Sequence, residues 1–180
     1  MKVKVEDSIF CLVDVQEKLY PHVSNKDVIE KNLVTLVKGL RIHELPFIIN
    51  EQYKKGLGET IPALKELVES DPHFEKTSFS CCGNDSMLES IKSSGKKIVI
   101  IAGIETHVCV LQTCLDLLEE GFKVVIVTDC VTSREPYNSI MAIERLVQAG
   151  VIPTTYESLL FELTQSAKNP NFKAISALVK

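Results

Sequence analysis

The chain has 180 residues, 45% hydrophobic and 24% charged, with a formal charge of −4 and a mean hydropathy of +0.11. That length suits one domain, spanning residues 1–180, that hides about 70% of its unfolded surface, and its apolar content excludes wholesale disorder. The acidic balance gives no footprint for nucleic acid, no apolar run nears the roughly 18 residues of a membrane span, and the early Glu6-Asp7 pair argues against a leader peptide, so a cytoplasmic protein is expected.

Taken in chain order, short apolar runs alternate with helical patterns. Ile9 to Val13 is a continuous apolar run, as expected of a strand buried on both faces. Ser24 or Asn25 then caps a helix whose Val28, Leu33, Leu36, Val37 and Leu40 recur near helical spacing. Pro46 to Asn50 reads as the second strand, Lys54 to Gly58 as a glycine-broken loop, and Ile61 to Val68 as a short helix with an early proline. Phe74 to Ser80 reads equally as a strand or a loop, and Asp85 to Ile91 is helical up to Gly95. Lys97 to Ala102 is the clearest buried strand, followed by a helix from Thr106 to Glu120. A strand from Lys123 to Thr128, a helix from Tyr137 to Ala149 and a short strand from Val151 to Thr154 follow. Two helical segments near Ser158–Ser166 and Asn171–Val179 close the chain.

This alternation predicts an α/β fold: three layers, α/β/α, around a central parallel sheet. Ligands in such sheets bind beyond the carboxyl ends of the strands. Three strand ends therefore matter: Asp14 after the first, the Gly103 turn after the fourth, and Asp129 after the fifth. A flavodoxin-like nucleotide binder shares this pattern, but no glycine-rich phosphate loop is present.

The six cysteines show neither zinc spacing nor a disulfide framework. Cys109 stands out because it falls in the first turn of a helix that follows a buried strand, where free N–H groups and the helix dipole favour a thiolate and an oxyanion. Asp14 can accept a proton at a strand end. Lys76, between apolar neighbours, can supply a fixed cation. Each also has a plain alternative: a core thiol, a turn-stabilising aspartate, a solvated lysine. The histidines form no ligand pair, and Glu51-Gln52-Tyr53 after the second strand offers none, so neither a metal nor a cofactor is expected.

Four segments together resemble the isochorismatase-like, or cysteine hydrolase, superfamily, over about Ser8 to Leu160. They are Leu12-Val13-Asp14-Val15-Gln16, Lys76-Thr77-Ser78-Phe79-Ser80, Gly103 to Val110, and Thr128 to Arg134. The resemblance implies the isochorismatase-like hydrolase fold and a small amide or related acyl substrate. It implies a thioester intermediate on Cys109, with Asp14 moving the proton and Lys76 holding the charges. It further implies a cis peptide between Ile104 and Glu105 and an oxyanion hole from the Glu105 and Cys109 N–H groups. Gln16 and Gln52 are the expected substrate contacts. Glu51-Gln52 with the later Leu57-Gly58 resembles the metal-free branch, and the family implies a homo-oligomer. The apolar runs Leu159-Leu160-Phe161 and Ala174 to Val179 read either as a surplus that marks an interface or as cover for the sheet. The alternative is a member that has lost activity and acts as a binding or scaffold protein.

Overall fold

The computed structural model describes residues 1–180. Six strands form one parallel sheet: β1 (Ser8–Val13), β2 (Phe47–Gln52), β3 (His73–Lys76), β4 (Ile98–Ile104), β5 (Lys123–Thr132) and β6 (Ile152–Thr154). Their order is β3-β2-β1-β4-β5-β6. The chain runs outward from β1 through β2 to β3, then crosses back to lay β4 on the other side of β1. The direction of winding reverses there, so the loops after β1 and β4 diverge and leave a crevice between them. This order differs from the flavodoxin-like one.

Alternation along the buried strands divides the core in two. Phe10, Leu12, Ile49, Ile100, Ala102, Val125 and Val127 face one side. They pack under α1 (Lys26–Ile42), α3 (Pro62–Val68), α7 (Tyr156–Thr164) and α8 (Phe172–Leu178). Ile9, Cys11, Val13, Ile48, Val99, Ile101, Val124 and Ile126 face the other. They pack under α4 (Asp85–Ser93), α5 (Leu111–Glu119) and α6 (Pro136–Ala149). The expected three-layer α/β/α architecture is therefore present.

Several boundaries depart from the expected ones. Lys54–Leu57 closes into one short helix, α2, entered through Tyr53 in a left-handed conformation. Of the ambiguous segment from Phe74 to Ser80, only the part up to Lys76 is strand, and β3 begins one residue earlier, at His73. The helix expected from Thr106 begins instead as a π-helical turn, Thr106–Val110, and becomes α-helical at Leu111. β5 extends to Thr132 through a register shift opposite Ile101–Gly103. Gly103 has φ +129°, and a Cβ there would sit 2.0 Å from the Val13 carbonyl oxygen, so glycine is what lets β4 end this close to β1.

The apolar runs near the C-terminus are not an exposed surplus. Leu159, Leu160, Leu163 and Ile175 are buried against the sheet and α1, where folding alone accounts for them. The exposed apolar stripe lies on α6: Tyr137, Ile140, Met141 and Val147 are between 44% and 69% exposed. No helix is long and apolar enough to cross a membrane.

Candidate active site

Asp14 and Cys109 follow β1 and β4, the two strands that flank the crevice, and Lys76 reaches Asp14 from the end of β3. Asp14 follows β1 at φ +51° and is fully buried. Its N–H donates to the Asn50 carbonyl at 3.1 Å, and its own carbonyl accepts from Gln16 N–H at 2.8 Å. Aspartate is among the few residues that adopt this backbone region readily.

Lys76 is the last residue of β3 and is buried. Its Nζ donates to Asp14 Oδ2 at 2.6 Å, Gln52 Oε1 at 2.7 Å, the Phe79 carbonyl at 2.9 Å and the Ser78 carbonyl at 3.3 Å. An ammonium has three protons, so these four acceptors leave none for a ligand. Burial opposes the Lys76 charge, but Asp14, Cys81 and Cys109 outweigh it and raise the pKa. Lys76 is a fixed cation, not an acid.

Burial also raises the Asp14 carboxyl, and Lys76 only partly offsets this. The carboxylate is therefore more basic than an exposed one. Its second oxygen, Oδ1, has no conventional hydrogen-bond partner.

Cys109 lies in the π-helical turn, 6% exposed. Val108 and Val110 N–H both return to the Glu105 carbonyl, at 3.1 and 3.2 Å, which widens the turn. The sequence pointed to a lowered thiol pKa; the structure reverses this. Burial is the largest effect and Asp14's negative charge adds to it, so the Cys109 thiol is pushed up despite Lys76. The empty site holds a thiol beside a base, not a free thiolate.

Glu105 opens this turn, and the Ile104–Glu105 peptide is cis. The Glu105 carboxylate Oε2 accepts from Arg134 N–H at 3.1 Å and from Arg134 Nε at 2.9 Å. Above them is a cleft of about 580 Å³ lined by Leu19, His22, Glu105, Arg134 and Glu135. Cys109 is not itself on its wall but belongs to the turn that Glu105 begins. The rim is tied together by Ser24, whose Oγ and N–H both donate to the Ser133 carbonyl, at 2.9 and 3.0 Å. His107 Nδ1 meets Ser133 Oγ at 2.9 Å.

Three expected site residues turn out to be scaffolding. Gln16 is fully buried; its Nε2 donates to the Gln52 and Gly58 carbonyls and its Oε1 accepts from Gln52 N–H. No polar atom of Gln16 is left for substrate. Gln52 holds Lys76 through Oε1 and the Thr77 carbonyl through Nε2, so it positions the cation. Asp129 lies away from the crevice, where its Oδ1 accepts from Tyr156 N–H at the start of α7. Glu51 is occupied by Thr60 N–H and Oγ1 and by Lys54. Nowhere do three His, Cys, Asp or Glu side chains gather as a metal site. The Glu105–Arg134 pair had no signature in the sequence beyond Arg134 closing a segment already singled out. The Gln52–Lys76 bond had none, because it depends on β2 and β3 pairing in register.

Comparison with known proteins agrees with this architecture. The Isochorismatase domain model matches residues 8–158. Isochorismatase domain-containing protein 2 of Danio rerio is 40% identical over 179 residues, which cover 99% of this chain and 89% of that protein. A structure of MAR1 ribonuclease from Caenorhabditis elegans superimposes with TM-score 0.94 at 38% identity, covering 99% of this chain and 92% of that one. YcaC from Pseudomonas aeruginosa, solved with hexane-2,5-diol and covalent acrylamide, gives 0.93 at 30% identity, covering 98% and 91%. YcaC from Escherichia coli, described as an octameric hydrolase of unknown specificity, gives 0.94 at 28% identity, covering 99% and 89%. With a crevice of this form at the sheet's switch point and relatives of this similarity over nearly its full length, the chain belongs to the isochorismatase family of hydrolases.

Proposed function

We propose that this hydrolase cleaves a small amide or related acyl substrate through a thioester on Cys109. The carrying observation is the buried Asp14–Lys76 pair at 2.6 Å, whose second carboxylate oxygen has no hydrogen-bond partner and whose Val13 neighbour packs in the same buried cluster as Cys109. Burying two charges is costly unless they are paired, and a satisfied core would not leave a carboxylate oxygen without a conventional partner.

The chemistry follows from the two raised pKa values. As Cys109 Sγ bonds to the carbonyl carbon, its proton passes to Asp14, whose burial makes it basic enough to take it. The developing oxyanion is held by the Glu105 and Cys109 N–H groups. Collapse breaks the C–N bond, and Asp14 returns the proton to the leaving amine. Water then attacks the thioester with Asp14 again as base, releasing the acid and restoring the thiol. Lys76 keeps Asp14 ionised between these transfers without touching the substrate. The substrate enters past Leu19, His22, Arg134 and Glu135.

The covalent acrylamide in the P. aeruginosa relative supports a nucleophile in this fold that adds to small electrophiles carrying an amide group. The octameric E. coli relative supports self-assembly of this chain as a homo-oligomer. The test is amine or ammonia release from a panel of small amides, run beside an RNA substrate because of the C. elegans protein's name. Amide turnover lost in Cys109→Ala, with no RNA cleavage that depends on Cys109, is the expected result. Cleavage of RNA but of no amide, or amide turnover that survives Cys109→Ala, contradicts the reading.

A further inference from the structure

Cys81 takes no part in the chemistry above, yet the fold brings it to Cys109. It is fully buried in the turn Cys81–Gly83, which follows the loop that cradles Lys76. Its N–H donates to Thr113 Oγ1 at 2.9 Å, and Thr113 Oγ1 donates to the Cys109 carbonyl at 2.7 Å. One hydroxyl thus clamps the two cysteine-bearing turns together. Both side chains belong to one buried cluster with Cys11 and Val13, on the same face of the sheet. Cys11 is itself held away from this pair by Asn50 Nδ2, which donates to its Sγ at 3.2 Å. Packing as a small hydrophobe explains why a cysteine is buried. It does not explain a second thiol set beside the Asp14–Lys76 pair and pinned to the nucleophile's own turn.

We propose that Cys81 is the resolving thiol of Cys109, the two forming a peroxide-sensitive site that reversibly switches hydrolysis off. This rests on Cys109 being the nucleophile. As Asp14 takes the proton of the Cys109 thiol, the sulfur attacks a peroxide oxygen: the S–O bond forms, the O–O bond breaks, and the leaving oxygen departs with that proton as water or an alcohol, leaving a sulfenic acid. Cys81 Sγ then attacks that sulfur: the S–S bond forms, the S–O bond breaks, and hydroxide leaves as water with the proton that Asp14 takes from Cys81. The disulfide blocks acylation and spares Cys109 from the irreversible sulfinic acid. A dithiol returns both thiols.

The experiment treats reduced wild type and Cys81→Ala with hydrogen peroxide, then maps cysteine states by mass spectrometry and measures acrylamide labelling of Cys109 before and after. In wild type a Cys81–Cys109 link with loss of two hydrogens is expected, together with loss of labelling that a dithiol restores. In Cys81→Ala the reduced protein should label normally, but peroxide should drive Cys109 to sulfinic acid at least about fivefold faster, beyond rescue by dithiol. A Cys11–Cys81 link with Cys109 free, or overoxidation of Cys109 at equal rates in both proteins, overturns the proposal. So does the absence of any Cys109 oxidation. If Cys81→Ala does not fold, the wild-type map decides alone. Reduced wild type that labels at Cys109 but forms no Cys81 link sinks only the resolving role. Failure to label at all sinks the nucleophile reading beneath it.

Discussion

At the scale of single residues, the account turns on which of two fields governs the Cys109 thiol. The start of a helix and the Lys76 cation favour a thiolate, and that much is legible in the sequence. Burial and the Asp14 charge oppose it and prevail, and neither magnitude can be read from residue spacing. Asp14 and Cys109 were recoverable as candidates because each follows a recognisable strand, and Lys76, in a segment readable as strand or loop, only through its place between apolar neighbours. The glutamines were not, because what an amide binds is set by neighbours distant in sequence. Asp14→Asn separates the two roles of the carboxylate. Loss of its negative charge lowers the thiol pKa, so alkylation of Cys109 near pH 8 should be faster than in wild type. Turnover should fall by about 10²–10⁴-fold, because the base is gone. Parallel labelling and turnover rates check this; labelling that slows along with turnover would show that Asp14 does not raise the thiol. In wild type, alkylation of the empty site should climb with pH past the usual thiol range, as a raised pKa requires.

At the scale of elements, the strands were the legible part. β1, β4, Phe47–Ile49 of β2 and Val124–Val127 of β5 are apolar runs buried on both faces, a pattern that does not depend on the neighbours, whereas the polar, partly exposed β3 was legible only as strand or loop. The π-helical turn was not, because it arises from two N–H groups sharing the Glu105 carbonyl, a matter of backbone geometry with no composition of its own. The C-terminal helices show a similar limit. Their apolar runs read equally as interface surplus or as cover for the sheet, and the structure shows the second: they are consumed in docking α7 and α8 onto α1 and the sheet. His43 at the end of α1 is part of that dock, within 3.0 Å of Thr164 Oγ1 in α7. Its burial lowers its pKa below the histidine value of about 6.5 in an unfolded chain. Below that pH the unfolded chain binds the proton more readily than the folded one, so stability rises with pH through this window and is lost as pH falls. Urea midpoints measured across pH 5 to 8, values bracketing that unfolded pKa, should drop on the acid side. His43→Gln should flatten the His43 part of that slope; an unchanged slope would contradict the burial argument.

At the scale of the whole molecule, strand–helix alternation identifies the layers, but the strand order depends on crossovers that sequence does not encode locally. The order β3-β2-β1-β4-β5-β6 explains why residues as far apart as Asp14, Lys76 and Cys109 share one crevice. It also leaves α6 with a stripe of Tyr137, Ile140, Met141 and Val147 facing outward, directly after the cleft residues Arg134 and Glu135. Apolar side chains at helical spacing on a helix already packed on its other face suit contact with a second copy. Light scattering of the wild-type protein is expected to give a multiple of the 20.1 kDa chain mass. Ile140→Glu with Met141→Glu should shift it toward monomer without loss of helical circular dichroism. A monomeric wild type would contradict the assembly reading.

The central claim is that Cys109 alone among six cysteines is a nucleophile prepared by its surroundings. Acrylamide labelling of the native, reduced protein, followed by peptide mapping of all six positions, tests it most directly. A single adduct on Cys109, lost when the substrate cleft is occupied by a competing amide, is the expected result. An adduct on the half-buried Cys82 with Cys109 unmodified would show that Cys109 is core packing.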